Sequence, residues 1–133
     1  MTRQKKPVTT DLYSGSETGE PFGRMYASVM KSDKYKNLSL GARNLYACCR
    51  AHAATKESRQ CLFKHGKESG NKYIVGRDFV FPAAQLENYG IERANASRWF
   101  DELERAGFIE RRERNKNMCR VNVYSFSARW RGP

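Results

Sequence analysis

The chain has 133 residues with 25 Lys or Arg against 14 Asp or Glu, a formal net charge of +11 at pH 7. That is one domain's worth of chain with a modest core, and the charge favours acidic partners, nucleic acid before an anionic membrane surface. No run of about 18 apolar residues exists and no apolar signal core follows Met1-Thr2-Arg3-Gln4-Lys5-Lys6, so no transmembrane helix and a cytoplasmic location are expected. The four cysteines are unevenly spaced, two of them adjacent, unlike a secreted disulfide framework, and reduced thiols are expected.

Residues 1–21 are polar and are expected to form a flexible basic arm, because they cannot bury enough surface to offset their ordering entropy. Arg3, Lys5 and Lys6 could follow a phosphate backbone or simply be solvated. Residues 22–133 are expected to form a single domain. Met25, Tyr26, Val29 and Met30 fall at near-helical spacing, and Tyr35 and Leu38 are placed to tuck under the next helix. Ser39 is an N-cap for a helix over about 40–54, whose stripe of Ala42, Leu45, Tyr46, Cys49 and Ala53 faces the core while Arg43, Asn44 and Arg50 stay solvated. Residues 56–76 read as a polar insertion at the domain edge. Lys56 to Lys64 extend that helix or form a short one on Leu62 and Phe63, and Gly66, Gly70 and Gly76 then mark a loop.

The remainder carries the strongest pattern. Phe79 to Phe81 is a strand, and Ala83 to Tyr89 a short helix ended by Gly90. A second helix follows over 92–106, with Ala96, Trp99, Phe100 and Leu103 on one stripe and Ile91 stapled to it. Gly107 suits a left-handed C-cap pinned by Phe108. Two helices joined by a Gly-containing turn form a helix-turn-helix with the second in the reading position. Opposite the stripe lie Ala94, Ser97, Arg98, Asp101 and Arg105. The N-terminal half of that face is small and basic, while Asp101 would repel phosphate and limit insertion to the first two turns.

Two strands follow, over 108–114 and 119–126. The turn-prone basic link Asn115-Lys116-Asn117-Met118 between them would be a wing. From Arg105 onward eight Lys or Arg face only Glu110 and Glu113, a net of +6. Strand alternation sends Arg111 and Arg112 to opposite faces, so only one of them is expected to meet phosphate. The expected fold is therefore α+β, a winged helix-turn-helix with a three-helix core, a small antiparallel sheet and a basic wing. Its expected partner is double-stranded DNA. Arg93, Ala94, Asn95, Ser97 and Arg98 would approach the major groove, and Arg112, Arg114, Lys116 and Arg120 would hold phosphate.

Other chemistries are weaker. Cys48 and His52 are four apart, as are Cys61 and His65, a Cys2His2 set suited to zinc. On an unbroken helix, nine residues at about 100° each put the pairs on opposite sides, and Ala53 to Gln60 holds neither Gly nor Pro to break it. No metal or other cofactor is expected. Cys119 has no histidine near it in sequence, Gly66-Lys67-Glu68-Ser69-Gly70 lacks the spacing of a phosphate loop, and no enzyme activity is expected. Trp99 lies at the edge of the core stripe. Trp130 either seals the hydrophobic edge or offers a dimer contact.

The run Leu103-Glu104-Arg105-Ala106-Gly107-Phe108-Ile109 resembles the segment that follows the recognition helix in the winged helix-turn-helix superfamily. More narrowly, the chain is similar over about residues 25–131 to small proteins carried by conjugative and plasmid elements of Gram-positive gut bacteria. The shared features are an early helix matched by Leu38, Ser39, Ala42, Leu45 and Tyr46, a strand matched at Phe79 to Pro82, and an ending matched at Tyr124, Phe126, Ser127 and Trp130. The resemblance implies a DNA-binding fold serving replication, transfer or transcriptional control of a mobile element, with a homodimer or a replication or transfer protein as further partners. Winged helices also serve as protein-interaction adaptors, which an exposed apolar patch around Phe22, Tyr26 and Trp130 would favour. A single-strand or RNA binder would need exposed aromatics beside basic groups.

Overall fold

A computed structural model describes residues 21–113 and 122–132. Two short helices, α1 (Ala27–Lys31) and α2 (Asp33–Lys36), lead into α3 (Leu40–Ala53). Serine hydroxyls open two of these: Ser32 Oγ accepts the Tyr35 N–H and Ser39 Oγ that of Ala42. Such caps satisfy donors that a helix cannot pair internally.

The next helix, α4 (Lys56–Ser69), is separate from α3 and replaces the loop expected from Gly66: these residues form one continuous 14-residue helix, with Gly66 inside it. Thr55 makes the break from α3. Its Oγ1 donates to the His52 carbonyl (2.7 Å) and accepts the Ser58 N–H (3.2 Å), so one hydroxyl serves the end of one helix and the start of the next. A chain can thus turn without Gly or Pro when a cap satisfies both sides. Leu62 is buried with Val80 and Val123 of the sheet. Gly66 has the Asn71 carbonyl and the Tyr73 ring close to where a Cβ would stand (3.3 and 3.4 Å), so its lack of a side chain lets the following loop fold back. α4 ends at Gly70, whose φ of 76° favours glycine.

The order then runs β1 (Asp78–Val80), α5 (Ala83–Asn88), α6 (Arg93–Ala106), β2 (Ile109–Glu113), β3 (Val123–Phe126) and a 3-10 turn at Arg129–Arg131. β1 starts one residue earlier than expected. The sheet is antiparallel with β3 in the middle, in the order β1-β3-β2. Phe79 lies opposite Tyr124 and Tyr124 opposite Arg111, and a bulge follows Arg111. The proposed wing, 115–118, lies outside the described residues, as do Arg114 and 119–121 of the flanking strands.

Alternation along the strands divides the sheet into two faces. Phe79 and Tyr124 join the large core with α3, α5 and α6, whereas Val80 and Val123 meet α4. Phe100 of α6 stacks on Tyr124 at 4.2 Å and 8°, and Phe79 stacks on Phe126 at 4.7 Å. Leu103, Leu45 and Tyr46 are fully buried between α3 and α6. The two helices meet closely at Gly41, where a Cβ would fall 2.1 Å from the Trp99 ring. Glu102 of α6 also accepts both the backbone N–H and the hydroxyl of Ser39 (2.6 and 2.8 Å), which docks α6 on the start of α3.

The end of α6 follows the expected pattern. Gly107 is left-handed (φ 89°), the Phe108 N–H reaches the Leu103 carbonyl at 3.0 Å, and Trp130 stacks on Phe108 at 5.6 Å. The fold is α+β and winged-helix-like.

Candidate nucleic-acid interface

Helix α5 and helix α6 follow each other directly, joined by a turn at Gly90. Ile91 is buried beneath the turn, and its N–H reaches the Leu86 carbonyl at 3.1 Å. Burial of Ala96, Phe100 and Leu103 sets the rotation of α6. That rotation leaves Arg93, Ala94, Ser97 and Arg98 exposed along its first turns, with Asn95 half-buried. Arg98 donates to Asn95 Oδ1 at 2.8 Å, which orients its guanidinium along the helix. Neither Arg93 nor Arg98 has a carboxylate partner among the described residues. The five residues expected to approach a groove therefore share one helical segment.

Asp101, one turn on, is held by Arg111 of β2. The Arg111 guanidinium bonds the Asp101 carboxylate, lies 3.6 Å from Glu104 and reaches the Ser97 carbonyl at 3.4 Å, while the Arg111 N–H bonds Glu104 at 3.1 Å. Its side chain is only 6% exposed, under the helix and facing the Tyr124 ring. This brace neutralises the one carboxylate that interrupts the small, basic face. Sequence reasoning missed it. The available signal was alternation, which places Arg111 on the same sheet face as Tyr124.

Arg112 lies on the other face. Its Nη1 donates to Asp78 Oδ2 at 2.9 Å and its guanidinium sits 5.5 Å from the Tyr73 ring centre. Asp78 is a buried hub that also accepts from the Ser125 hydroxyl, the Ile74 N–H (2.7 Å) and Arg77 Nε (3.2 Å). Burial pushes its carboxyl up, but these hydrogen bonds and Arg112 hold it below the ordinary value. The Arg112 cation, expected to hold phosphate, thus has an internal anion and remains partly exposed. Arg114, Lys116 and Arg120 lie outside the described residues.

The two Cys/His pairs are drawn to different neighbours. His52 is buried, its ring stacked on Phe81 at 4.2 Å, and burial lowers its pKa. His65 Nε2 lies 3.1 Å from Glu113, which also bonds the Tyr73 hydroxyl and Asn71 Nδ2 (3.0 Å). Burial raises the Glu113 carboxyl, and those hydrogen bonds bring it below the ordinary value. Burial pushes the Cys48 and Cys49 thiols up, away from the reactive thiolate. Among the described residues no three His, Cys, Asp or Glu are grouped to hold a metal ion. No described helix is long and apolar enough to cross a membrane. Cys119 lies outside the described residues.

No protein-family model and no curated protein matches this chain. Two solved structures are similar in fold. One is described as "Structure of Rep-DNA complex", at 18% identity and TM-score 0.52, covering 92% of this chain and 82% of that one. The other is described as "N-Terminal domain of DNA binding protein", at 18% identity and TM-score 0.52, covering 94% of this chain and 83% of that one. At that identity the likeness is one of architecture, and it extends over nearly the whole chain: the α+β arrangement of these residues is shared with both proteins.

Proposed function

We propose that this chain is a winged helix-turn-helix protein that binds double-stranded DNA without catalysing a reaction on it. The observation that carries the reading is the first half of α6. Arg93, Ala94, Ser97 and Arg98 are exposed there with no carboxylate partner among the described residues, and Arg111 neutralises the nearest acid on the face, Asp101. A narrow helix face of small and cationic residues fits the major groove, where Arg98 and Asn95 can reach base edges and Arg93 a phosphate. Arg114, Lys116 and Arg120 are assigned to phosphate from the wing, with Arg112 contributing least because Asp78 already holds it. The fold neighbours, described as a Rep–DNA complex and a DNA-binding protein, support the same reading. Replication, transfer or transcriptional control of a mobile element in the cytoplasm is the proposed setting, with self-association open.

Binding is tested by electrophoretic shift and fluorescence anisotropy on duplexes over a range of salt. Arg98→Ala is expected to weaken specific binding by about 1–3 kcal/mol with the melting temperature nearly unchanged. Arg114→Ala with Lys116→Ala is expected to flatten the slope of log K against log salt by just under 2, at about 0.9 per phosphate contact. An unaltered slope removes the wing from the interface, and an Arg98→Ala protein that unfolds or binds as before removes the assigned helix face.

A second reading, a protein-interaction adaptor, is favoured by exposed Phe22 (73%), Tyr26 (52%) and Met30 (51%). Trp130 is half-buried, with its ring laid on Phe108. An adaptor would bind duplexes weakly, and its wing variant would behave as wild type on DNA.

A further inference from the structure

Helix α4 presents a second basic surface on the far side of the sheet from α6. Its inner face is set by buried Ser58, Leu62 and His65. At about 100° per residue, Lys56, Arg59, Gln60, Phe63 and Lys67 then share an outward arc of roughly 100°, with Lys64 at its margin. All six are exposed. None of the four cations Lys56, Arg59, Lys64 and Lys67 has a carboxylate partner among the described residues, although Glu57 and Glu68 lie on one flank of the arc. Lys56 to Lys67 spans about 17 Å at 1.5 Å per residue. Phe63 stands in the middle, 56% exposed.

An uncovered phenylalanine among unpaired cations has little to gain from duplex DNA, whose bases are stacked inside. It suits a strand whose bases are free, because each base offers a π-face while its phosphates meet the surrounding lysines. We propose that the outer face of α4 binds single-stranded nucleic acid, with Phe63 as a stacking platform for a base and Lys56, Arg59 and Lys67 as the phosphate track. This site is separate from the duplex interface proposed for α6. It lies on the opposite layer of the sheet, where Leu62 packs on Val80 and Val123 while Phe100 of α6 packs on Tyr124.

The test uses the full chain and a fluorescein-labelled oligothymidylate of roughly 20 nucleotides, longer than the ~4–16-nucleotide sites of known single-strand binders. A duplex of the same length and phosphatidylcholine–phosphatidylglycerol vesicles are run in parallel. Phe63→Ala is expected to weaken single-strand binding about 5- to 150-fold, the range for loss of one base–aromatic stack. Phe63→Tyr should restore it, whereas Phe63→Leu should not, because leucine keeps the apolarity and loses the ring.

The triple change Lys56→Ala, Arg59→Ala, Lys67→Ala should flatten the single-strand salt slope by about 2, at roughly 0.7 per phosphate. Arg98→Ala should leave single-strand binding unchanged, so failure here and failure of the duplex reading are distinguishable. Circular dichroism checks that each variant is folded, and every changed side chain is exposed. The proposal is overturned if the Phe63 and triple variants bind the oligonucleotide as wild type does. It is equally overturned if they weaken duplex and single strand alike, or if Phe63→Leu rescues binding or the variants lose only vesicle binding, which would make α4 a membrane-facing helix.

Discussion

Replacing Arg111 by Met keeps the length and apolar stem of the side chain and removes the guanidinium that joins β2 to α6. Four interactions go with it: the bond to Asp101, the approach to Glu104 at 3.6 Å, the donation to the Ser97 carbonyl at 3.4 Å and the placement of the cation 6.0 Å from the Tyr124 ring centre. Hydrogen bonds to charged groups contribute about 1.5–3 kcal/mol each when dry. Here the acids keep water, since the Asp101 side chain is 54% exposed and that of Glu104 26%, so the loss is discounted to about 2 kcal/mol in all. For a domain of this size that lowers the melting temperature by roughly 5–10 °C.

The effect on DNA is indirect and smaller. One carboxylate, Asp101, regains its full charge about 8 Å from a phosphate in the groove, which in water amounts to ~0.5 kcal/mol, a two- to threefold loss of affinity. Adding Asp101→Asn should return affinity to within twofold of wild type without restoring the melting temperature. Differential scanning fluorimetry and anisotropy on one duplex read both quantities. A loss of more than tenfold with no change in melting temperature would refute the brace and make Arg111 itself a phosphate contact.

The core offers sharper effects. Leu103→Ala, at a fully buried position, should destabilise by about 2–5 kcal/mol in urea unfolding, and an unchanged midpoint would mean the phase of α6 is misread. Gly41→Ala drives a methyl into the Trp99 ring and should cost about 1–3 kcal/mol, with a shift in tryptophan fluorescence as α3 and α6 separate; a neutral effect on both would deny the close approach. His52 is held below the ordinary histidine value of 6.5 by burial, so the unfolded chain takes up its proton first as the pH falls past about 6.5, and stability declines from there downward. Melting between about pH 7.5 and about pH 5.5 should show that decline in wild type and a flatter profile in His52→Phe, whereas parallel profiles would exclude His52 as its source. The depressed carboxylates of Asp78 and Glu113 act in a lower window, losing their contribution only as the pH falls below about 4.

The helix pair α5 and α6 was legible because its signals are local. A 3.6-residue stripe from Ala96 to Leu103, a staple at Ile91 and a glycine with left-handed φ at 107 each act within a few positions of one another. Only the first part of α4, to Lys64, was legible, because the fully buried apolar part of its inner face amounts to Leu62. The rest of that face is Ser58 and His65, which look solvated until the sheet covers them. The break at Thr55 was hidden for a related reason, since a hydroxyl that caps both ways leaves no glycine or proline as a mark. Strand alternation correctly sent Arg111 and Arg112 to opposite faces. Which anion each would meet was beyond its reach, because Asp101 is ten residues away and Asp78 thirty-four.

The stacking of Phe100 on Tyr124, at 4.2 Å and nearly parallel, has a consequence for the proposed complex. With Trp99 against Gly41 and Glu102 on Ser39, it bolts the second half of α6 to the sheet and to α3 at three separate points. A reader held so firmly loses little freedom on association, and it has equally little capacity to adjust its pitch to the groove. Adaptation then falls to the duplex, which must open, bend or twist to meet a fixed helix. Sequences whose steps deform at low energy would be preferred even at positions no side chain touches, so the selectivity of such a protein would track the stiffness of its site as well as its letters.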